Sequence, residues 1–301
     1  MRGYTGKILF VDLSSGEMTV ERIPDSVYER QLSGIGLAAH LLYERIPAGA
    51  DPLGPDNILA FVSGLLTGTG ALLAGRWMAA ARSPLTDTWG EANCGGTLAP
   101  AIKACGYDGI FFRGMAPQPV YLYADGGTAE LRDASTVWGR DSVVSEAMLI
   151  DACRGNKRPA VACIGEAGEK LSLISGICND RGRIAARSGL GAVMGSKKLK
   201  ALVLAGSRRT VTHDRSAIHR LSQGCYHDHI AKASLPPIPG AIWRIFGRVT
   251  GQAKNARRVD GLLSLGVYRR WGTITGNQMA VESGDAPIKN WTGSRLDSLS
   301  I

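Results

Sequence analysis

The joining of strand-like segments by very short turns is the feature that most restricts the fold of this chain. Segments Lys7–Leu13 and Glu17–Ile23 are rich in apolar and β-branched residues, and only Ser14-Ser-Gly16 separates them. Such spacing predicts a β-hairpin. A doubly wound parallel sheet requires instead a crossover, usually a helix, between successive strands. The sequence therefore predicts an α+β fold with mixed or antiparallel sheets and packed helices.

A second hairpin and several single segments extend this prediction. Segments Trp77–Ala81 and Thr86–Ala92 flank Ser83-Pro84-Leu85, which is a favourable turn. The uncharged stretch Ile58–Gly75 is 18 residues long, barely enough to cross a membrane, and its four glycines favour a buried strand followed by a loop. We expect no membrane span. Further strands are predicted at Gly109–Arg113, Val120–Tyr123, Ala129–Arg132, Ala160–Ile164 and Leu199–Leu204, and helices at Leu37–Glu44, Leu98–Ala104 and Asp141–Cys153, the last capped by Asp141.

The spacing of apolar residues changes near residues 207–213, where strand-like segments give way to a helix-like pattern. Beyond this point Ala217, Leu221, Ile230 and Ala231 have the spacing of one helix face. We therefore predict two domains, residues 1–208 and residues 209–301, the second being the start of a mainly α-helical domain.

The last third of the chain is also the basic part. Residues 211–301 hold 12 Lys and Arg against 6 Asp and Glu, in a chain of net charge +9. Because no RNA- or DNA-binding motif accompanies this charge, we expect no nucleic-acid partner. The basic residues are Arg244, Arg248, Lys254, Arg257, Arg258, Arg269 and Arg270, near Trp243, Phe246 and Trp271.

The cysteines and the N-terminus restrict the chemistry and the compartment. The six cysteines include no C-x-x-C pair, so local zinc or iron–sulfur motifs have no support. The first residues lead into a strand-like segment with no apolar signal region. We therefore expect a cytoplasmic protein with reduced thiols.

The stretch Arg183–Lys197 combines cations and glycines with no acidic residue. Arginines supply charge-assisted hydrogen bonds, and glycines at 189, 191 and 195 admit an anion close to backbone N–H groups. The glycine spacing fits neither the dinucleotide nor the NTP loop pattern. The alternative is a glycine-rich helix packed closely on a sheet, with Arg183 and Arg187 in solvent. The residues alone leave both interpretations open.

A second cluster lies at the ends of the second predicted hairpin. Its geometry brings Arg76 and Asn93 to the same end, beside the pair Gly95-Gly96. The glycines lead into a predicted helix whose N-terminus favours anions. The alternative is a strand end with a glycine turn and a surface arginine, and the residues do not decide between the two.

These motifs occur in the order, and at about the spacing, of the aldehyde:ferredoxin oxidoreductase family, whose N-terminal cofactor-binding domain the chain resembles from Gly3 to about Gly206. Beyond residue 210 the clearest match is Ala286-Pro-Ile-Lys-Asn-Trp291. The motifs are Ser63-Gly-Leu-Leu-Thr-Gly-Thr-Gly70, Gly75-Arg76, Ser83-Pro-Leu-Thr86, Ala92-Asn-Cys-Gly-Gly96, Ala104-Cys-Gly-Tyr-Asp-Gly-Ile110, Ile164-Gly-Glu-Ala-Gly168 and Gly191-Ala-Val-Met-Gly-Ser-Lys197.

The resemblance implies a cofactor and the residues that hold it. Family members bind tungsten, or less often molybdenum, through two pyranopterins whose phosphates are bridged by Mg²⁺. Asn93 and Ile184 would offer backbone carbonyls to the magnesium, a hard cation suited to oxygen ligands. In this sequence Cys94 stands where serine is common, and Ala186-Arg-Ser188 replaces a more glycine-rich run. The implied cofactor-binding residues are Arg76, Asn93, Cys94, Gly95 and Gly96, with Arg183, Ile184, Ala185, Ala186, Arg187, Ser188 and Gly189.

The resemblance also implies a reaction, namely oxidation of an aldehyde to a carboxylate, with electrons passed through a [4Fe–4S] cluster to ferredoxin or an iron–sulfur subunit. The chain stops at Ile301, before the family's cysteine run, so we expect it to be truncated and to lack the cluster ligands and catalytic side chains. We expect an oligomer. Two alternatives stay open: the cofactor-binding subunit of an aromatic acyl-CoA reductase of the same family, and a non-catalytic fragment.

Overall fold

The computed structural model describes residues 3–155, 158–231 and 272. The chain divides into two compact units, Met1–His219 and Arg220–Ile301. The domain boundary after residue 208 stays a prediction. The basic tail and the Ala286–Trp291 match lie outside the described residues.

Six strands form the first sheet: β1 (Lys7–Asp12), β2 (Met18–Arg22), β3 (Leu59–Ser63), β4 (Trp77–Arg82), β5 (Trp89–Cys94) and β6 (Gly109–Arg113). Their order is β2-β1-β6-β3-β4-β5. Strands β1 and β6 run parallel, and the other neighbours are antiparallel. Both predicted hairpins are confirmed. Strand β5 begins at Trp89 rather than at Thr86, because backbone bonds from Ser83 to Thr88 and from Asp87 to Ser83 keep those residues in the turn.

The second sheet also has six strands: β7 (Val120–Asp125), β8 (Thr128–Asp133), β9 (Ala160–Cys163), β10 (Ile177–Asn179), β11 (Arg183–Ala185) and β12 (Leu199–Leu204). Their order is β11-β10-β9-β12-β7-β8, with β7 and β12 parallel and the other pairs antiparallel. These two mixed sheets confirm the α+β prediction. The short strands β10 and β11 were not predicted.

Helices in the described residues are α1 (Asp25–Gln31), α2 (Ile35–Arg45), α3 (Leu98–Ala104), α4 (Ser142–Ala152), α5 (Glu166–Glu169), α6 (Leu190–Ser196) and α7 (Arg215–Cys225), the last continued by a π-helical segment, Tyr226–Ala231. Asp141 caps α4 as predicted, since its carboxylate accepts a bond of 2.7 Å from the Val143 N–H. Within the described ranges, no helix combines the length and apolarity that a membrane crossing demands.

Three hydrophobic clusters divide the large unit into layers. Alternation along β3 sends Leu59 and Phe61 into the central cluster and Ala60 and Val62 into an outer one beside α1 and α2. A third cluster joins α4 to the outer face of the second sheet. The central cluster, which joins the two sheets, also includes α3 and α6. Every residue of α6 is buried.

Candidate functional site

The β4–β5 hairpin brings Arg76 and Asn93 together, as the sequence predicts. In the strand register Met78 faces Asn93. The Arg76 guanidinium donates from Nε to Asn93 Oδ1 at 2.7 Å, from Nη2 to the same oxygen, and from Nη2 to the Asn93 carbonyl at 3.3 Å. Because asparagine is neutral, these bonds orient the guanidinium without cancelling its charge.

The Arg183–Lys197 stretch begins in an edge strand. Residues Arg183–Ala185 form β11 at the end of the second sheet. Arg183 and Arg187 are exposed, and in the described part of the chain neither guanidinium has a hydrogen-bond or ion-pair partner. The Ile184 and Ala186 side chains are exposed, whereas that of Ala185 is buried. We call the surface formed by Arg76, Arg183 and Arg187 the arginine edge.

Two glycines of the Arg183–Lys197 stretch serve packing rather than anion binding. Gly191 and Gly195 lie within the buried helix α6. A Cβ at Gly191 would approach Ser175 Oγ at 2.7 Å and Gly176 O at 2.8 Å, and a Cβ at Gly195 would overlap the carbonyl of Gly168. Our expectation that their backbone N–H groups face an anion is therefore wrong. The alternative, a glycine-rich helix in close packing, is correct for this part of the stretch.

Lys197, the last residue of the same stretch, lies away from solvent. Its side chain is fully buried, and Nζ donates to Gly114 O at 3.1 Å. Burial lowers the pKa of this lysine to about 8. The lysine is therefore a support for neighbouring loops, and the cations available to a ligand in this stretch are the two arginines.

Ser188 links the two clusters directly. Its Oγ donates to the carbonyl of Glu91 in β5 at 3.2 Å, and its own carbonyl accepts from Ser83 Oγ at 2.9 Å. Gly189 follows in the left-handed region, at φ 64°, and precedes α6. A side chain there would press against Pro84, since a Cβ lies 3.2 Å from Pro84 Cγ. The β4–β5 turn and the start of α6 are thus in contact.

Sequence reasoning missed Asn179 and Asp180, which join the same two clusters. Asn179 Nδ2 donates to the Gly95 carbonyl at 3.1 Å. The Asp180 carboxylate accepts from Thr97 N and from Thr97 Oγ1, each at 2.7 Å. The expected anion position at the start of α3 is therefore filled by the chain's own carboxylate. The sequence offered one signal for this turn, the pair Asn179-Asp180, because asparagine and aspartate tolerate positive φ in turns.

Cys94 is a buried hydrogen-bond donor. Its Sγ donates to Asn179 Oδ1 at 3.2 Å. Burial raises the pKa of the thiol above its usual 9.0, although Arg76 and Arg183 act in the opposite direction. The thiol therefore stays protonated near neutral pH and is a poor ligand for a soft metal. In residues 3–155 and 158–231 no group of three or more His, Cys, Asp or Glu has the arrangement of a metal site.

The fold and site thus define a two-sheet α+β domain with a cationic, glycine-lined surface where the edge strands β5 and β11 approach each other. Residues 8–206 match the model of the aldehyde ferredoxin oxidoreductase N-terminal domain. The chain belongs to the aldehyde ferredoxin oxidoreductase family, as the resemblance of its motifs predicted.

Relatives of this chain are oxidoreductases of several kinds. It is 38% identical over 246 residues to a tungsten-containing aldehyde ferredoxin oxidoreductase of Thermococcus kodakarensis, covering 80% of this chain and 40% of that protein. It is 28% identical over 316 residues to the WOR-like subunit of an aliphatic sulfonate oxidoreductase of Pyrococcus furiosus, covering 100% and 45%. The chain thus spans less than half the length of these relatives.

A solved structure shares the fold. The active-site complex BamBC of benzoyl coenzyme A reductase, in complex with 1,5-dienoyl-CoA, matches with a TM-score of 0.74 and 34% identity, over 79% of this chain and 36% of that one. The family therefore includes a tungsten-containing aldehyde oxidoreductase and a chain from an acyl-CoA reductase.

Proposed function

We propose that this chain is the cofactor-binding N-terminal part of an oxidoreductase whose tungsten or molybdenum is held by two pyranopterins. The arginine edge carries the proposal. It consists of three exposed arginines, of which Arg183 and Arg187 have no acidic partner in the described residues. Guanidinium forks match phosphate oxygens in geometry and charge.

The residues present fit such a group. A Cβ at Gly95 would lie 3.3 Å from Arg183 Nη1, so the glycine keeps the surface beside this guanidinium open. Asn93 and Ile184 would hold Mg²⁺ through their backbone carbonyls, and the Asn93 carbonyl accepts a bond of 3.3 Å from Arg76 Nη2.

The bound cofactor would supply the two-electron chemistry, and this chain would bind and orient it. As the reaction we propose oxidation of an aldehyde to a carboxylate, with electrons leaving through a [4Fe–4S] cluster to ferredoxin or an iron–sulfur subunit. We place the protein in the cytoplasm, in a homo- or hetero-oligomer, with a small aldehyde as substrate.

A second candidate is the cofactor-binding subunit of an aromatic acyl-CoA reductase. The structural match to the benzoyl coenzyme A reductase complex favours it. Two assays with a viologen dye, in anaerobic extract fractions that contain the chain, separate the two candidates. One measures oxidation of an aldehyde, which the first candidate predicts, and the other measures oxidation of a cyclic dienoyl-CoA, which the second predicts. A third candidate, a chain that binds cofactor without turnover, predicts neither activity.

Metal and pterin contents of the anaerobically purified chain test the binding role. We expect tungsten or molybdenum together with pterin, released oxidatively and measured by fluorescence. Arg76→Ala and Arg187→Ala should each lower this content, because a charge-assisted contact to phosphate is lost. Arg22→Ala is the matched control, since Arg22 is exposed on β2, at the opposite edge of the same sheet. Unchanged content in both site variants would contradict the assignment.

A further inference from the structure

Asn179 and Asp180 bind residues across the molecule as well as each other, since Asn179 Nδ2 also donates to Asp180 Oδ2 at 3.1 Å. Asn179 is fully buried, accepts a hydrogen bond from Cys94 and donates one to the carbonyl of Gly95. Asp180 accepts two hydrogen bonds from Thr97 through its two carboxylate oxygens. Two successive side chains thus join the β10–β11 turn to the segment that follows β5.

The backbone of this turn is in an unfavourable conformation. Asp180 and Arg181 have φ values of 47° and 60°, and neither is glycine. Such a conformation persists where surrounding contacts require it. On the opposite side Gly96, at φ 109°, leaves the space that the Asp180 carboxylate occupies, because a Cβ there would overlap it. Both partners are shaped for this contact.

The contact sets the spacing of the arginine edge. Arg183 lies on β11, directly after the Asp180 turn, and its Cδ is 3.2 Å from where a Cβ of Gly96 would stand. Arg76 is held by Asn93, which directly precedes Cys94. The hydrogen bonds between this pair and residues 94–97 therefore fix the position of the Arg183 guanidinium relative to that of Arg76. A ligand that bridges fixed cations binds better when their spacing is set beforehand.

We propose that Asn179 and Asp180 are positioning residues that hold Arg183 at a fixed distance from Arg76, so that both guanidiniums reach one phosphate-bearing ligand. The identity of that ligand rests on the proposed function. Neither side chain touches the ligand in this proposal. They act through Arg183 and through the residues that follow β5.

Asp180→Ala and Asn179→Ala test the proposal against the matched control Asp141→Ala. Asp141 also accepts a bond from a backbone N–H near a helix N-terminus, at α4, which packs on the outer face of the second sheet. The full chain is purified anaerobically from a host that makes the metal–pterin cofactor. We expect Asp180→Ala to lower tungsten or molybdenum and pterin per chain about tenfold or more, as the loss of groups that orient ligand-binding residues does. Asp141→Ala should keep the wild-type content at a similar melting temperature.

Conservative variants separate positioning from general damage. Thr97→Ser keeps the hydroxyl that bonds Asp180 Oδ1 and should retain the cofactor content, whereas Thr97→Val should lose it. Equal losses in Asp180→Ala and Asp141→Ala at equal melting temperatures would overturn the positioning role.

Alkylation of Cys94 in ligand-free chain, followed by mass spectrometry, keeps this proposal distinct from the proposed function. Asn179→Ala and Asp180→Ala should label Cys94 faster than the wild type and Asp141→Ala, because the bond to Asn179 is lost or loosened. If the wild type carries no metal or pterin, the proposed function fails, and faster labelling in these variants still supports the positioning role of Asn179 and Asp180. Equal labelling rates in all four proteins overturn it.

Discussion

Gly191→Ala tests whether the glycines of the Arg183–Lys197 stretch serve packing. Ordinary contact with the added Cβ begins near 3.4 Å, but the site offers 2.7 Å to Ser175 Oγ and 2.8 Å to Gly176 O. Helix α6 must therefore move by about 0.6 Å, within a central cluster that surrounds it. Overpacking of this kind costs about 1–3 kcal/mol, and alanine returns up to about 1 kcal/mol of helix propensity.

The expected net result is a loss of about 1–2 kcal/mol in the free energy of unfolding, measured by urea denaturation of the full chain. Ser175→Ala removes the nearer obstacle, an unpaired buried hydroxyl, and should reduce the loss when combined with Gly191→Ala. Gly224→Ala in α7 is the open-site control, since nothing lies within 4 Å of its Cβ, and helix propensity should make it neutral or stabilising. A Gly191→Ala chain more stable than the wild type would refute the packing argument.

Two further predictions concern buried charges. Burial lowers the pKa of Lys103 and Lys197 to about 8. Above that pH the unfolded chain therefore holds more protons at these lysines than the folded chain, and the free energy of unfolding rises with pH, by up to about 1.4 kcal/mol per pH unit for each lysine. This rise ends near pH 9, because burial raises the pKa of four thiols, those of Cys94, Cys105, Cys163 and Cys178, above the usual value of 9.0, so above pH 9 the folded chain holds more protons at these thiols than the unfolded chain. Below pH 9, urea titrations should show a smaller slope in Lys197→Met, and an equal slope would contradict this. Lys200→Met leaves the buried carboxylate of Glu169 without its ion-pair partner and should lower the free energy of unfolding by about 3–5 kcal/mol. The double variant of Lys200→Met with Glu169→Gln should recover part of this loss in thermal unfolding, and no recovery would argue against the pair.

Most of the strands and one half of the arginine edge could be predicted because their determinants are local. Alternation in β3, the turn after Ser83 and the cap at Asp141 depend on residues close in sequence. Arg76 and Asn93 are 17 residues apart and are joined by one hairpin, so its geometry was enough to bring them together. The family also followed from motifs that the chain carries in order.

Only the tertiary structure decided how the two clusters meet and what the glycines do. Asn179 ends β10 of the second sheet and Gly95 follows β5 of the first, 84 residues away, so no local rule pairs them. Glycine is equally permitted beside an anion and beside another helix, because in both cases the missing Cβ is what matters. The neighbours of Gly191 and Gly195 had to be known, and these come from packing of α6 between the two sheets.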